Sequence, residues 1–211
     1  MLFRSLSDWP VVDTALAVLE LAGGEFEFHR ASRLLRSPFI AGAESELGAR
    51  AALDAALRER VPPRLRLPAL LAAVRHVTDP DGASSARVAA CPKLVGALEQ
   101  FLDMARAQLP GGRSPQEWAR RYSELLAAMG FPGERVADSS EFQTLAKWRE
   151  TLGELAKLER VAPRMTHAQA LARLRRLCAD TLFQPRLAAD GGDAPIQVLG
   201  ILESGGLTFD H

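Results

Sequence analysis

The sequence is poor in cysteine and has no net charge, and each shortage limits what the protein can be. Two cysteines, Cys91 and Cys178, occur in 211 residues, and their spacing matches no metal-ligand pattern. Both lie among apolar neighbours, so we expect buried free thiols. Lys and Arg together number 26, as do Asp and Glu. Whole-chain charge therefore gives no indication of nucleic-acid binding, although a local basic patch remains compatible with it.

Long apolar runs and the motifs of common enzymes are also missing. No stretch of about 18 uncharged apolar residues is present, so we expect no membrane span. The N-terminal residues lack the apolar segment of a secretion signal. The patterns GxxxxGK[ST], HExxH, CxxC and GxSxG are absent, and no two histidines share a helical face. We therefore expect a cytoplasmic protein with no cofactor, no metal site and no catalytic residues of its own.

The residues that are abundant, Ala, Leu, Arg and Glu, favour helices. Apolar periodicity and end signals predict eight helices, over residues 8–22, 27–35, 43–60, 67–77, 92–109, 115–129, 139–160 and 167–181. Capping boxes beginning at Ser114 and Thr166 mark two of the starts. Leu47 and Phe142 are core candidates on these helices. We expect His167, in the first turn of the last helix, to be exposed.

The tail after residue 185 has a different pattern. Residues 190–193 predict a turn, and the apolar residues 196–202 predict a buried strand. A strand needs partners in a sheet, and this chain supplies few. The predicted fold class is mostly α, with one or two short β-strands at the C-terminus. Residues 1–185 would form a helical domain resembling an insertion, and residues 186–211 a linker and a strand that enters a second domain.

Arginines cluster at several places along the chain, and three of the clusters supply the candidate DNA contacts. The candidates are Arg30, Arg33, Arg36, Arg64, Arg66, Arg173 and Arg176. A guanidinium fork matches the geometry of a phosphate group, and phosphate contacts dominate DNA affinity. The alternative for each cluster is a solvated face that pairs with nearby glutamates. Aromatic residues do not interleave with these arginines, which disfavours binding by base stacking.

Residues 196–210 join the apolar strand to a glycine-rich turn. This run resembles the fifth conserved motif of superfamily I DNA helicases of the UvrD/Rep type, in which a strand precedes the turn A-K-G-L-E-F-D. The matching residues are Gly206, Leu207, Phe209 and Asp210. Gly205 stands where the family has lysine, and Thr208 where it has the glutamate that helps to hold the nucleotide sugar. The resemblance implies a degenerate motif at Gly205, Gly206, Leu207 and Thr208 that binds no nucleotide.

A second resemblance lies near the N-terminus, where residues 34–40 have the sequence LLRSPFI. They resemble the segment after the fourth motif in the B subunit of AddAB-type helicase–nucleases and in RecC-like proteins. In that architecture a helical accessory domain is inserted between the fourth and fifth motifs, and a PD-(D/E)XK nuclease lies elsewhere in the protein. The resemblance implies a non-catalytic domain of a bacterial DNA-repair and recombination protein. It would act as a scaffold, with DNA and a helicase partner subunit as its expected partners.

Two other functions fit parts of the sequence. A helical protein–protein interaction or regulatory module unrelated to helicases suits the neutral charge and the amphipathic helices equally well. A small helical enzyme is disfavoured, because no constellation of titratable groups indicates a reaction. Fold class by itself does not separate these functions.

Overall fold

The computed structural model describes residues 4–78, 91–160 and 162–185, and these contain eight α-helices and four short β-strands. The helices are α1 (Pro10–Gly23), α2 (Phe28–Leu35), α3 (Leu47–Arg58), α4 (Leu67–Thr78), α5 (Pro92–Gln108), α6 (Pro115–Ala128), α7 (Ser139–Lys157) and α8 (His167–Asp180). The strands are β1 (Arg4–Ser5), β2 (Glu25–Glu27), β3 (Arg64–Arg66) and β4 (Leu182–Phe183). The predicted mostly α fold class is confirmed.

Three helices begin at capping boxes. At α6, α7 and α8 the cap is Ser114, Asp138 or Thr166, and its side chain accepts a hydrogen bond from the amide three residues later. The side chain at that third position returns a bond to the amide of the cap residue, so two amides that lack an intrahelical acceptor are satisfied. Proline at the first position of α1, α5 and α6 fits a site where no donor is needed. Local sequence therefore sets these starts.

The strands form two antiparallel pairs that join distant parts of the chain. β1 pairs with β4, so that Arg4 lies opposite Phe183, and β2 pairs with β3, so that Phe26 lies opposite Leu65. The sequence pattern did not predict these strands. The strand predicted at 196–202, and the linker and second domain assigned to 186–211, lie outside the described residues.

The core is one apolar cluster that extends from Leu6 to Cys178. Helix α1 is central, because it contacts α2, α5, α6, α7 and α8. Its broad apolar face, which includes Val12 and Leu19, is buried by these neighbours. Trp118 and Tyr122 of α6 are the largest fully buried side chains. The central helix explains how eight short elements share one core.

Three predictions of burial were wrong. Leu47 and Phe142 have 66% and 64% of their surface exposed, although both were core candidates. Each lies in the first turn of its helix, before the stretch that packs against neighbouring helices, so a position on the apolar stripe does not ensure burial. His167 is 9% exposed although exposure was expected. Its ring packs against Trp118 and Tyr122 of α6.

Candidate nucleic-acid interface

The first arginine cluster lies on α2 and at its C-terminal cap, in a groove against α1. Arg30, Arg33 and Arg36 line this groove, which has a volume of about 540 Å³. Each guanidinium lies within ion-pair distance of a carboxylate. The pairs are Arg30 with Glu20 at 2.9 Å, Arg33 with Asp13 at 2.6 Å and Arg36 with Asp54 at 3.2 Å. Asp8 also lines the groove. The positive charge predicted from the sequence is therefore balanced locally.

The second cluster lies on β3, where the antiparallel ladder places acids opposite the arginines. Arg64 faces Glu27 at 3.5 Å and Arg66 faces Glu25 at 3.9 Å between charged atoms. Cross-strand pairs of opposite charge stabilise a two-stranded ladder. All four side chains are exposed, so each pair contributes little to stability. These arginines nevertheless have acidic neighbours that compete with a phosphate.

The third cluster lies on the outer face of α8. The inner face of this helix is buried and includes Ala170, Leu171 and Leu174. Arg173 and Arg176 point away from it and line a groove of about 490 Å³, which we call the α8 groove. Its lining includes Arg164, Arg173 and Arg176 together with Met165, Gln169 and Ala172. None of the described residues that line it carries a carboxylate.

Hydrogen bonds hold the second wall of the α8 groove, the segment before the helix. Met165 and Arg113 exchange two backbone hydrogen bonds, of 2.9 and 3.0 Å. The indole Nε1 of Trp118 donates to the Met165 carbonyl at 2.8 Å. Arg164 Nη2 donates to the Gly112 carbonyl at 2.9 Å. These bonds keep Arg164 beside the α8 arginines.

The α8 groove has fewer ion pairs than the other two clusters. Arg173 makes no ion pair with any of the described residues. Arg176 lies 3.5 Å from Asp180, and both side chains are largely exposed. Arg175 points elsewhere and pairs with Glu20 of α1 at 2.8 Å. Of the three predicted clusters, this one therefore keeps the most unbalanced positive charge.

Sequence reasoning missed Arg164, the third arginine of the groove. It stands between Pro163 and Met165, where no periodicity connects it to α8. Its position depends on the backbone bridge between Arg113 and Met165, which joins residues about fifty positions apart. No signal in a single sequence would have placed Arg164 beside Arg173.

A buried polar pair beneath the start of α8 was also missed. The Tyr122 hydroxyl donates to the His167 carbonyl at 3.1 Å and lies 3.2 Å from His167 Nδ1. Burial lowers the pKa of His167 and raises the pKa of Tyr122. Both effects favour neutral side chains, which suits a structural pair within the core.

The side chains of Cys91 and Cys178 are both buried, as predicted, and neither forms a disulfide. Burial raises the pKa of Cys91 to about 11 and that of Cys178 to about 12. A thiol with such a pKa carries very little thiolate near neutral pH, and the thiolate is the reactive form. In the described ranges no three His, Cys, Asp or Glu side chains are grouped so that they could hold a metal ion.

Gly205, Gly206, Leu207 and Thr208, the degenerate nucleotide motif, lie outside the described residues. Among the described helices, none has both the length and the apolar character needed to cross a membrane. Comparison of the chain with protein-family models gives no match. Comparison with curated proteins and with solved structures gives no significant match.

Proposed function

We propose that this chain is a non-catalytic helical domain of a helicase-like bacterial DNA-repair protein, and that its α8 groove contacts DNA phosphates. One observation supports the contact: Arg164, Arg173 and Arg176 line a groove without a carboxylate among its described lining residues. The resemblance of residues 196–210 and 34–40 to helicase-type subunits supports the wider assignment. In this role the domain is a scaffold that also contacts a helicase partner subunit.

The choice of the α8 groove over the α2 groove follows from competition between ligands. An arginine that is paired with a carboxylate exchanges one anionic partner for another when it binds a phosphate. Arg173 has no ion pair among the described residues, so a phosphate there adds a charge-assisted contact without breaking one. Arg173 and Arg176 are separated by about 4.5 Å along the helix axis, so their forks can reach neighbouring phosphates of one strand.

Fluorescence anisotropy with labelled single-stranded and duplex oligonucleotides tests the contact. We expect an affinity that weakens with salt, with a logarithmic slope of about −2 to −3 if three phosphates are engaged. The double variant Arg173→Gln/Arg176→Gln should weaken binding severalfold and reduce the slope by about two. Arg33→Gln/Arg64→Gln is the matched control, because it also removes two charges but at paired positions. An affinity independent of salt, or equal losses in both variants, would contradict the α8 assignment.

The non-catalytic assignment has its own test. The purified chain should show no hydrolysis of ATP with or without DNA, since residues 205 and 208 lack the lysine and glutamate of the resembling motif. A rate above that of a boiled control, stimulated by DNA, would overturn this part of the proposal.

A protein-interaction module is the second candidate, and exposed apolar side chains favour it. Leu47 is 66% exposed and Val136 is 93% exposed. A hydrogen bond joins the two segments, because the Ser45 hydroxyl donates to Glu134 at 3.1 Å. Leu47 lies two residues after Ser45, and Val136 lies two residues after Glu134. Two results together would favour this candidate. One is a DNA affinity that does not depend on salt. The other is self-association in sedimentation velocity that the variant Leu47→Ser/Val136→Ser abolishes.

A further inference from the structure

An apolar pocket lies where the ends of four helices meet, apart from the α8 groove. The C-terminal ends of α1 and α5 and the first turns of α4 and α8 surround it, and its volume is about 550 Å³. Aliphatic side chains dominate its wall. They include Leu21, Leu67, Leu102, Ala105 and Leu109. This size and lining are typical of pockets that take small molecules.

Two arginines give the pocket a positive edge. Arg66 and Arg106 both line it, and no acidic side chain does so among the described residues. Arg106 makes no ion pair within the described part of the chain, and Arg66 lies 3.9 Å from Glu25, the outer limit for a pair. The first turn of α8 also lines the pocket, at His167 and Ala168, whose amides have no intrahelical acceptor.

From this combination we infer that the pocket binds a medium-chain aliphatic carboxylate. The alkyl chain would lie against the leucines, where burial of apolar surface drives binding. The carboxylate would accept hydrogen bonds from Arg106, an exposed guanidinium that makes no ion pair among the described residues. A neutral aliphatic molecule would contact the same apolar wall without the charged contact to Arg106. A charged molecule without an alkyl chain would bury little apolar surface against that wall.

This site is independent of the proposed DNA contact. The pocket uses Thr166, His167 and Ala168 at the start of α8, whereas the α8 groove uses Gln169, Ala172 and Arg173 further along the helix. Loss of DNA binding in Arg173→Gln therefore leaves the pocket unchanged, and the two proposals fail separately.

Calorimetric titration of the chain with sodium octanoate, and with 1-octanol as the neutral counterpart, tests the inference. We expect saturable octanoate binding at millimolar concentration or below. Arg106→Gln should weaken octanoate binding about tenfold, since charge-assisted hydrogen bonds are among the strong ones, and leave octanol binding unchanged. Arg149→Gln is the matched control, because Arg149 is also an exposed arginine that makes no ion pair among the described residues. It should alter neither ligand.

A second variant tests the place of binding. Ala168 is exposed at the rim of the pocket, so Ala168→Phe should block entry of both ligands without disturbing the core. Unchanged octanoate binding in Ala168→Phe would overturn the inference. So would the absence of saturable octanoate binding, or an equal effect of Arg106→Gln and Arg149→Gln.

Discussion

Arg50 is a buried charge whose role is to complete the end of another helix. Only 2% of its surface is exposed. Its guanidinium donates to the carbonyls of Leu35 at 2.6 Å and Ser37 at 3.0 Å, just where α2 ends. Carbonyls at a helix end have no intrahelical donor and need another partner when they are buried. Burial lowers the pKa of Arg50, but the group remains charged at neutral pH.

Removal of this guanidinium should strongly destabilise the fold. In Arg50→Met two buried carbonyls lose their donor, so we expect the free energy of unfolding to fall by about 3 kcal/mol. Urea unfolding measures this change. Arg149→Met serves as the control, because Arg149 is exposed, and it should change the free energy by less than about 0.5 kcal/mol. Equal values for the two variants would show that the Arg50 bonds contribute nothing.

The burial of His167 should make the stability of the fold depend on pH. Burial lowers its pKa in the folded state below the unfolded value of about 6.5. Near pH 6 the unfolded chain therefore binds more protons at this residue, so stability rises with pH. The contribution is fully present above the unfolded pKa and is lost as the pH falls through that value towards the folded pKa.

Urea unfolding at about pH 7.5 and about pH 5.5 should show this loss in the wild-type chain. His167→Asn should remove most of the difference between the two conditions. His29→Asn should retain it, since His29 is exposed beside Glu27. A difference of the same size in His167→Asn and in the wild type would assign the pH dependence to other groups.

Among the elements, contacts between loops hold the segment that follows α6 against the segment that follows α2. The Ala41 amide donates to the Met129 carbonyl at 2.9 Å. Glu134 accepts hydrogen bonds from the Lys93 side chain and from Ser45, and these contacts lower the pKa of its carboxyl to about 2. Gly133 approaches the Pro38 carbonyl so closely that a Cβ would lie 2.3 Å from the oxygen. Its φ of +103° also favours glycine.

Two glycine variants should therefore shift stability in opposite directions. Gly133→Ala should lower the free energy of unfolding by about 2 kcal/mol or more, because it adds a clash to an unfavourable φ. Gly153 lies in the exposed middle of α7 with nothing near its Cβ position, so Gly153→Ala should raise it by about 0.5–1 kcal/mol. Thermal and urea unfolding of both variants measure these shifts, and destabilisation by both would refute the argument.

Helix α3 shows why element boundaries depend on neighbours. The pattern predicts a helix over 43–60, but α3 extends over Leu47–Arg58. The Glu46 side chain accepts hydrogen bonds from the Lys93 and Leu94 amides at 2.6 and 3.1 Å, so it caps α5. Glu46 itself has φ −120° and lies just outside α3. The helix propensity of residues 43–46 does not reflect these hydrogen bonds to α5, which is distant in the sequence.

At the scale of the whole molecule, the part of the chain that the structure describes should unfold in one step. One apolar cluster extends from Leu6 to Cys178, and the Leu6 amide donates to the Thr181 carbonyl at 2.8 Å, so both ends of the described chain share the same core. Far-UV circular dichroism and tryptophan fluorescence should therefore give coincident urea transitions. Separate midpoints would indicate that part of the helical array folds independently.

The choice among the three arginine clusters also depends on residues that are distant in the sequence. The three arginine clusters were visible in the sequence, but the sequence did not distinguish them. The distinction comes from distant acids: Glu20 of α1 lies beside both Arg30 and Arg175, whereas Arg173 has no such neighbour among the described residues. A neutral total charge carries no information about this distribution.

The sequence by itself determined that eight helices form and that capping boxes begin at Ser114 and Thr166, because these features depend on contacts within three or four residues. Ser114 and Glu117, for example, cap α6 with no help from the rest of the chain. Only the tertiary structure decided the short strand pairs, the burial of His167 and the assembly of the α8 groove. Each of these joins residues at least 37 positions apart, and such pairings depend on how the helices pack around α1 rather than on local propensity.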